Sequence, residues 1–171
     1  MQARPPWRGF ALGRLFWAVA VLWAGPAQAQ DDAKRLHLGA LRLHVLYSDS
    51  GQLSPDLLEG DGPRETWNLT IGSGGLAGRA DHAMVVLPIL ADKDASGDGQ
   101  AYSTIPIAIR VRDRAGKVIA QRRIAGALTS HDGRSFEPLW LPDITCAGPI
   151  AIEATMAQQR VTATFAFHCG E

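Results

Sequence analysis

The 24 residues 146–169, CAGPIAIEATMAQQRVTATFAFHC, determine the fold class of this chain. Apolar side chains occupy every second position on both sides of the central AQQR, which is typical of two half-buried β-strands joined by a turn. If residues 157–160 form a four-residue turn, Ile150 pairs with Phe167, Ile152 with Phe165 and Met156 with Val161. All apolar residues of both strands then lie on one face. The stretch therefore predicts a β-hairpin whose apolar face covers a second sheet.

The same hairpin brings the two cysteines of the chain together. In the predicted register Cys169 lies opposite Gly148, two residues from Cys146. In an oxidising compartment these cysteines should form a structural disulfide that closes a loop of 24 residues. A redox-active pair is the alternative interpretation, but the Cys-x-x-Cys spacing is absent.

Upstream of the hairpin, short runs with the same two-residue period are separated by clusters of Gly, Pro, Asp and Ser. These runs predict strands at residues 41–47, 67–71, 105–111, 118–124 and 136–141. The DRAGK sequence of residues 113–117 predicts the turn of a further hairpin. A helical turn is expected only at residues 53–58. The chain is therefore predicted to be an all-β protein, an antiparallel β-sandwich that is immunoglobulin-like in the loose sense, with one disulfide.

The continuous apolar run AMVVLPIL at residues 83–90 predicts a strand that is buried on both faces. Pro88 lacks the N–H group that a central strand donates to its neighbour, and so does Pro106. We therefore expect an edge or a bulge at both prolines.

The first 29 residues have the organisation of a secretory signal peptide. Arg4, Arg8 and Arg14 precede the apolar run of residues 15–24, and Ala27-Gln28-Ala29 follows as the cleavage site. The run would rise only about 15 Å as a helix, half the thickness of a hydrocarbon core, so no stable membrane span is expected after cleavage. Residues 30–171 should then form a single β-sandwich domain, and the predicted location is periplasmic or secreted.

Charge argues against nucleic acid as a partner. The full chain has 17 basic and 17 acidic side chains, and removal of residues 1–29 leaves 14 basic side chains against 17. Such a chain has no basic excess to neutralise phosphates.

One acidic segment is a candidate calcium site. Oxygen-bearing side chains recur at alternate positions, as in the first half of an EF-hand loop: Asp92, Asp94, Ser96 and Asp98. The twelfth position is Ser103 where a bidentate Glu would be needed, and the flanking residues predict strands. A solvated acidic turn is the favoured interpretation, so no cofactor is expected, and calcium is the alternative.

A basic cluster follows, in and around the hairpin turn of residues 113–117. Its candidate anion-binding or partner-binding side chains are Arg110, Arg112, Arg114, Lys117 and Arg123, with Arg122 beside them. The favoured interpretation is an edge hairpin whose charges prevent aggregation, and anion binding is the alternative.

Other motifs are weaker. GSGGLA at residues 72–77 matches the letters of a dinucleotide fingerprint but lacks the following helix, so a glycine loop is favoured. His44 and His168 are predicted to point away from the core, so copper or zinc could bind only through tertiary contacts. No acid, base or nucleophile has a catalytic spacing, so an enzyme is not expected; an unrecognised hydrolase is the third hypothesis.

Several further short motifs are scattered along the chain: SGQLS at residues 50–54, Trp67-Asn68, IGSG at residues 71–74 and the terminal CGE. With these motifs the chain resembles a group of small exported bacterial β-rich proteins. The resemblance implies no particular activity and directs attention to residues 50–54 and 67–74. The expected contact surface consists of residues 48–80 and the basic hairpin. The expected function is that of a soluble binding module of the bacterial envelope, with a protein or a glycan as its partner.

Overall fold

A computed structural model shows two large β-sheets that face each other. The structure describes residues 36–62, 64–69, 76–92 and 100–169. These residues contain strands and turns but no α-helix. The strands are β1 (Leu36–Leu38), β2 (Arg42–Tyr47), β3 (Glu65–Trp67), β4 (Ala80–Ala91), β5 (Tyr102–Ser103), β6 (Ile107–Arg112), β7 (Val118–Ile124), β8 (Ala127–Leu128), β9 (Arg134–Leu141), β10 (Gly148–Met156) and β11 (Gln159–His168).

The strand order confirms the predicted sandwich. In the four-stranded sheet, β4 pairs on one side with β1 and β2 in succession and on the other side with β9, all antiparallel. The five-stranded sheet has the order β3-β11-β10-β6-β7, and only its β3–β11 pairing is parallel. The short β5–β8 pair forms a third sheet. Successive strands change repeatedly from sheet to sheet, as in immunoglobulin-like sandwiches.

The core is aliphatic and lies between the inner faces of the two large sheets. Val85, Leu87 and Ile89 of β4 have no solvent exposure, and neither do Ile109 of β6 and Phe167 of β11. They belong to one continuous cluster of buried residues. Removal of this apolar surface from water is the main stabilising term of such a fold.

The predicted hairpin of residues 146–169 forms, but its predicted register is wrong. The turn contains only Ala157 and Gln158, so that Met156 pairs with Gln159 and Ile150 with Phe165. Ala157 has a φ of 50°, the left-handed conformation that tight two-residue hairpin turns require. Because the register differs by two residues, the same side chains still face the core.

The observed register aligns the cysteines better than the predicted one. Continued outward, it places Cys146 directly opposite Cys169. Their Cα atoms are 5.1 Å apart and the two residues form the predicted disulfide. Unlike the disulfide of antibody domains, which joins two sheets, this bridge fastens neighbouring strands of one sheet.

The strand predicted at residues 67–71 is also wrong. β3 ends at Trp67, because Asn68 has a φ of 52° and turns the chain. Trp67 therefore faces solvent, whereas Thr66 and Leu69 are buried. Residues 70 and 71 lie outside the described residues.

The interruption expected at Pro88 is confirmed within the four-stranded sheet. The carbonyl oxygen of Pro88 accepts a hydrogen bond from the N–H of Gly39, 2.8 Å away, at the break between β1 and β2. The proline nitrogen faces the same break, where the neighbouring strand is discontinuous. The second proline, Pro106, lies just before β6, so the strand predicted at 105–111 begins at Ile107.

The free edge of β2 is covered by residues 52–57, part of the segment predicted as a helical turn. The Ser54 hydroxyl accepts a hydrogen bond from the N–H of Val45, 3.1 Å away, and the Asp56 carboxylate accepts one from Leu43, 2.9 Å away. The side-chain amide of Gln159 protects β1 in a similar way. It accepts a hydrogen bond from the N–H of Leu38 and donates one to the carbonyl oxygen of Leu36. The helical prediction is wrong because the backbone and side-chain hydrogen bonds of this segment go to β2.

We expect the disulfide to stabilise the fold mainly by lowering the conformational entropy of the unfolded chain. Replacement of both cysteines by serine should lower the free energy of unfolding by about 3 kcal/mol, the chain-entropy value for a loop of this size. Denaturant titration of the oxidised protein and the double variant measures the difference. Reduction of the unmodified protein should give the same loss, and a loss below about 0.5 kcal/mol would contradict the expectation.

Gly39 is expected to be required at the break between β1 and β2. A Cβ atom at this position would lie 2.9 Å from Cβ of Pro88, whereas one at Gly62 would have nothing within 4 Å. Gly39→Ala should therefore lower the free energy of unfolding by about 1–3 kcal/mol. Gly62→Ala is the matched control, and equal denaturation midpoints for the two variants would contradict the proposed clash.

Candidate functional site

The outer face of the four-stranded sheet is apolar, although it is not covered by another sheet. We call this surface the apolar face. Its outward side chains come from alternate positions of β2, β4 and β9: Leu46, Met84, Val86, Pro88, Leu90, Phe136, Pro138 and Trp140. Phe136 is 49% exposed and Trp140 is 42% exposed. The outward side chains of β4 are half-buried, apart from Pro88, which is buried. The prediction that residues 83–90 are buried on both faces is therefore wrong, because the five-stranded sheet covers only one side of β4.

Cross-strand pairs bring the side chains of the apolar face close together. Met84 pairs with Trp140, Val86 with Pro138 and Pro88 with Phe136. The carbonyl oxygen of Pro138 accepts a hydrogen bond from Arg122 on the side away from β4, so this β4–β9 row consists of non-hydrogen-bonded pairs. Side chains approach most closely in such pairs.

Two arginines flank a shallow depression at one end of the apolar face. Cζ of Arg42 lies 5.7 Å from the centroid of the Phe136 ring, a cation–π contact. Arg134 precedes Phe136 on the outer face of β9. The depression has a volume of about 240 Å³ and is lined by Gly39, Ala40, Arg42, Pro88, Leu90, Arg134 and Phe136.

At the opposite end, His82 packs against Trp140 with ring centroids 5.3 Å apart. Nδ1 of His82 accepts a hydrogen bond from the N–H of Asp143, 3.2 Å away. In the neutral ring the proton therefore lies on Nε2, and His82 has no free lone pair for a metal ion.

The histidines predicted to face outward do so, but on different sheets. His44 lies on the outer face of β2, where its Nδ1 is 2.8 Å from the carbonyl oxygen of Ser54. His168 lies on the outer face of β11, stacked on Trp67 with ring centroids 4.3 Å apart and 3.3 Å from the Glu65 carboxylate. The fold does not bring them together, and the described residues contain no group of three His, Cys, Asp or Glu side chains that could hold a metal ion.

Three of the four candidate calcium ligands, Asp94, Ser96 and Asp98, lie outside the described residues. Asp92 is described, and its Oδ1 lies 2.7 Å from Nε2 of His37. The calcium hypothesis remains a prediction from the sequence.

The basic residues are divided between two surfaces. Arg110, Arg112 and Arg123 lie on the outer face of the five-stranded sheet, while Arg114 and Lys117 lie in the exposed turn. Arg122 points the other way, and its guanidinium lies 2.9 Å from the Glu137 carboxylate of β9. Anion binding by the outward group stays a prediction, whereas Arg122 links the edges of the two sheets.

The segments singled out by the resemblance have structural contacts. Ser54 belongs to the segment that covers β2, and Trp67 contributes to the aromatic stack on His168. Residues 70–75, 170 and 171 lie outside the described residues, as do residues 1–29 of the predicted signal peptide. Phe136, Pro138 and Trp140 are not among the site residues predicted from the sequence, because FEPLWL has apolar side chains at both odd and even positions and does not mark the outward face.

Comparisons with known proteins assign no family. No protein-family model and no curated protein matches the chain. Thirty chains of solved structures match, among them a β-glucuronidase of Bifidobacterium dentium complexed with coumarin-3-O-glucuronide. That match has a TM-score of 0.34 and 11% identity, over 79% of this chain and 18% of the enzyme chain. The chain thus spans less than a fifth of the length of that enzyme. In the part of the chain that the structure describes, no helix is long and apolar enough to cross a membrane.

Asp132, in the turn before β9, provides a test of the geometry beside the depression. The Ser130 hydroxyl donates a hydrogen bond to the Asp132 carboxylate, and this bond lowers the pKa of Asp132. Because the pKa is lowered on folding, the stabilisation is present above the ordinary pKa and is lost as the pH falls through the folded value.

We expect Ser130→Ala to raise the pKa of Asp132 towards its ordinary value, as measured by carboxyl ¹³C NMR titration. Ser48→Ala, whose hydroxyl bonds Asp81 instead, is the control. Identical titration curves for Asp132 in the two variants would contradict the assigned hydrogen bond.

Proposed function

We propose that this protein is an exported binding module of the bacterial envelope and that the apolar face is its contact surface for a partner protein. The observation that carries the proposal is the contrast between the two outer faces. One presents the exposed rings of Phe136 and Trp140 to solvent, beside the half-buried side chains of Met84 and Val86. The other is polar, with outward side chains that include Arg110, Glu153, Thr155, Arg160, Thr162 and Thr164.

The size of the apolar face supports a contact role. From His82 to Leu90 the face is roughly 27 Å long, and the two strands that supply most of its apolar side chains, β4 and β9, are together roughly 10 Å wide, which gives roughly 270 Å². Contiguous apolar patches of a few hundred Å² on a monomer are often functional. A stable interface covers about 800 Å² on each partner, so the footprint of the partner would include the rim of the face.

The chemistry of the face favours a protein over a glycan. Its centre consists of aliphatic, proline and aromatic side chains, which offer few hydrogen-bond partners for sugar hydroxyls. An apolar protein surface loses no hydrogen bonds on contact with such a centre.

Export to the periplasm or beyond is part of the proposal. The signal-peptide organisation of residues 1–29 supports it, and the Cys146–Cys169 disulfide is compatible with an oxidising compartment. The calcium-binding and hydrolase hypotheses remain alternatives without a supporting contact among the described residues.

Site-specific photo-crosslinking in the exporting cell tests the proposal. A photoreactive phenylalanine at Trp140 should give one dominant protein adduct, and the same group at Thr164 on the opposite outer face should give none. The adduct at position 140 should be lost when Phe136 and Met84 are changed to Ser, while the denaturation midpoint of the variant shows that it is folded. No adduct at position 140, or the same adducts from both positions, would contradict the proposal.

A further inference from the structure

We propose that the depression between Arg42 and Arg134 binds a carboxylate of the partner, whose contact segment is therefore both apolar and acidic. This inference rests on the proposed function and specifies the chemistry of the partner at one end of the apolar face.

The charges on the apolar face have one sign and lie at one end. Among the described residues, Arg42 and Arg134 are the only arginine, lysine, aspartate or glutamate side chains that the strand register places on this face. Arg42 is opposite Val86 and Arg134 is opposite Leu90, so both belong to the end at which Pro88 lies.

The carboxylates near these arginines are only partly engaged elsewhere. Asp92 is bonded to His37, and Asp132 accepts the hydrogen bond of Ser130, although its charge also interacts with that of Arg134. Asp56 and Glu59 line an adjoining depression with Arg42, and Asp56 accepts hydrogen bonds from the N–H groups of Leu43 and Leu58.

In the described part of the chain, the guanidinium groups of Arg42 and Arg134 make no ion pair. The cation–π contact with Phe136 positions Arg42 without using any of its five N–H donors. Two guanidinium groups with free donors therefore line one depression, an arrangement suited to a bidentate carboxylate.

The surroundings of the depression strengthen such an ion pair. Pro88, Leu90 and Phe136 form its apolar lining. A partner seated on the apolar face would exclude water from this lining, and charge pairs interact more strongly where water is excluded.

The geometry favours an acidic peptide segment over two other anionic ligands. A volume of about 240 Å³ is below that of ordinary small-molecule pockets, which measure about 300–1,000 Å³. Recognition of an anionic membrane generally uses about four to eight clustered cations, whereas this face has two arginines. A carboxylate side chain on an apolar protein segment fits both the depression and the adjoining face.

The test uses residues 30–171 labelled with ¹⁵N and two synthetic 12-residue peptides. Both peptides alternate valine and threonine, and they differ only at two positions near one end, which are Glu in one peptide and Gln in the other. NMR titration should show shifts of amides in β2, β4 and β9, with the Glu peptide bound about fivefold or more tightly. The difference should disappear in 0.5 M salt, because screening weakens an exposed ion pair.

The charge dependence is then assigned by matched variants. Arg42→Gln with Arg134→Gln should abolish the preference for the Glu peptide, and the corresponding Lys substitutions should retain part of it. Arg110→Gln with Arg112→Gln, on the opposite outer face, should leave it unchanged. Circular dichroism of each variant verifies folding.

Several outcomes would overturn the inference. Equal binding of the two peptides to the apolar face would remove the carboxylate anchor and leave the proposed function standing. If neither peptide binds although position 140 crosslinks to a protein, the carboxylate anchor is likewise removed and the proposed function stands. Flotation with phosphatidylglycerol vesicles that depends on Arg42 and Arg134 would assign the depression to a membrane surface. A failed crosslinking experiment would instead remove the proposed function itself.

Discussion

The structure depends on the burial of the inner side of β4 against the five-stranded sheet. β4 is paired along both of its edges, and its inner side chains Val85, Leu87 and Ile89 have no exposure to solvent. In a β-strand the side chains between them must point the other way. The burial that holds the sandwich together therefore also fixes the outward positions of Met84, Val86 and Pro88. The apolar face is a geometric consequence of the core combined with an apolar residue at nearly every position of this strand.

Period-two alternation was sufficient to predict the fold class, the terminal hairpin and its disulfide. It did not predict the register, because a shift of two residues leaves the same side chains on the same face. The left-handed conformation of Ala157 decides between the two registers, and alanine carries no local signal for it. Asn68 shows the same limit, since its turn exposes Trp67 and buries Leu69 within a run that reads as one alternating strand.

The candidate site could not be located from the sequence for a different reason. Residues 136–141 and residues 83–90 contain apolar side chains at both odd and even positions, so the sequence does not say which face meets the second sheet. That information lies in the pairing of β4 with β9 and in the position of β10 and β6 across the core, which are contacts distant in sequence. The charge pattern, in contrast, indicated a candidate site around residues 110–123. One member of that cluster, Arg122, contacts other parts of the protein, since it bonds Pro138 and Glu137 at the junction of the two sheets.

The treatment of the strand edges indicates how a partner can be recognised. An unprotected edge would allow another chain to add a strand, and natural sheets block this with prolines, charges or covering segments. Here the side chains of Ser54 and Asp56 accept hydrogen bonds from N–H groups of β2. The side-chain amide of Gln159 bonds the backbone of β1. On the outer side of β9, Pro138 has no N–H group and its carbonyl oxygen accepts a hydrogen bond from Arg122. The four-stranded sheet thus has edges that are protected at these positions and an open apolar surface. Strand addition would have to displace these contacts, whereas docking onto the surface displaces only water, so recognition through side chains is the mode that this architecture favours.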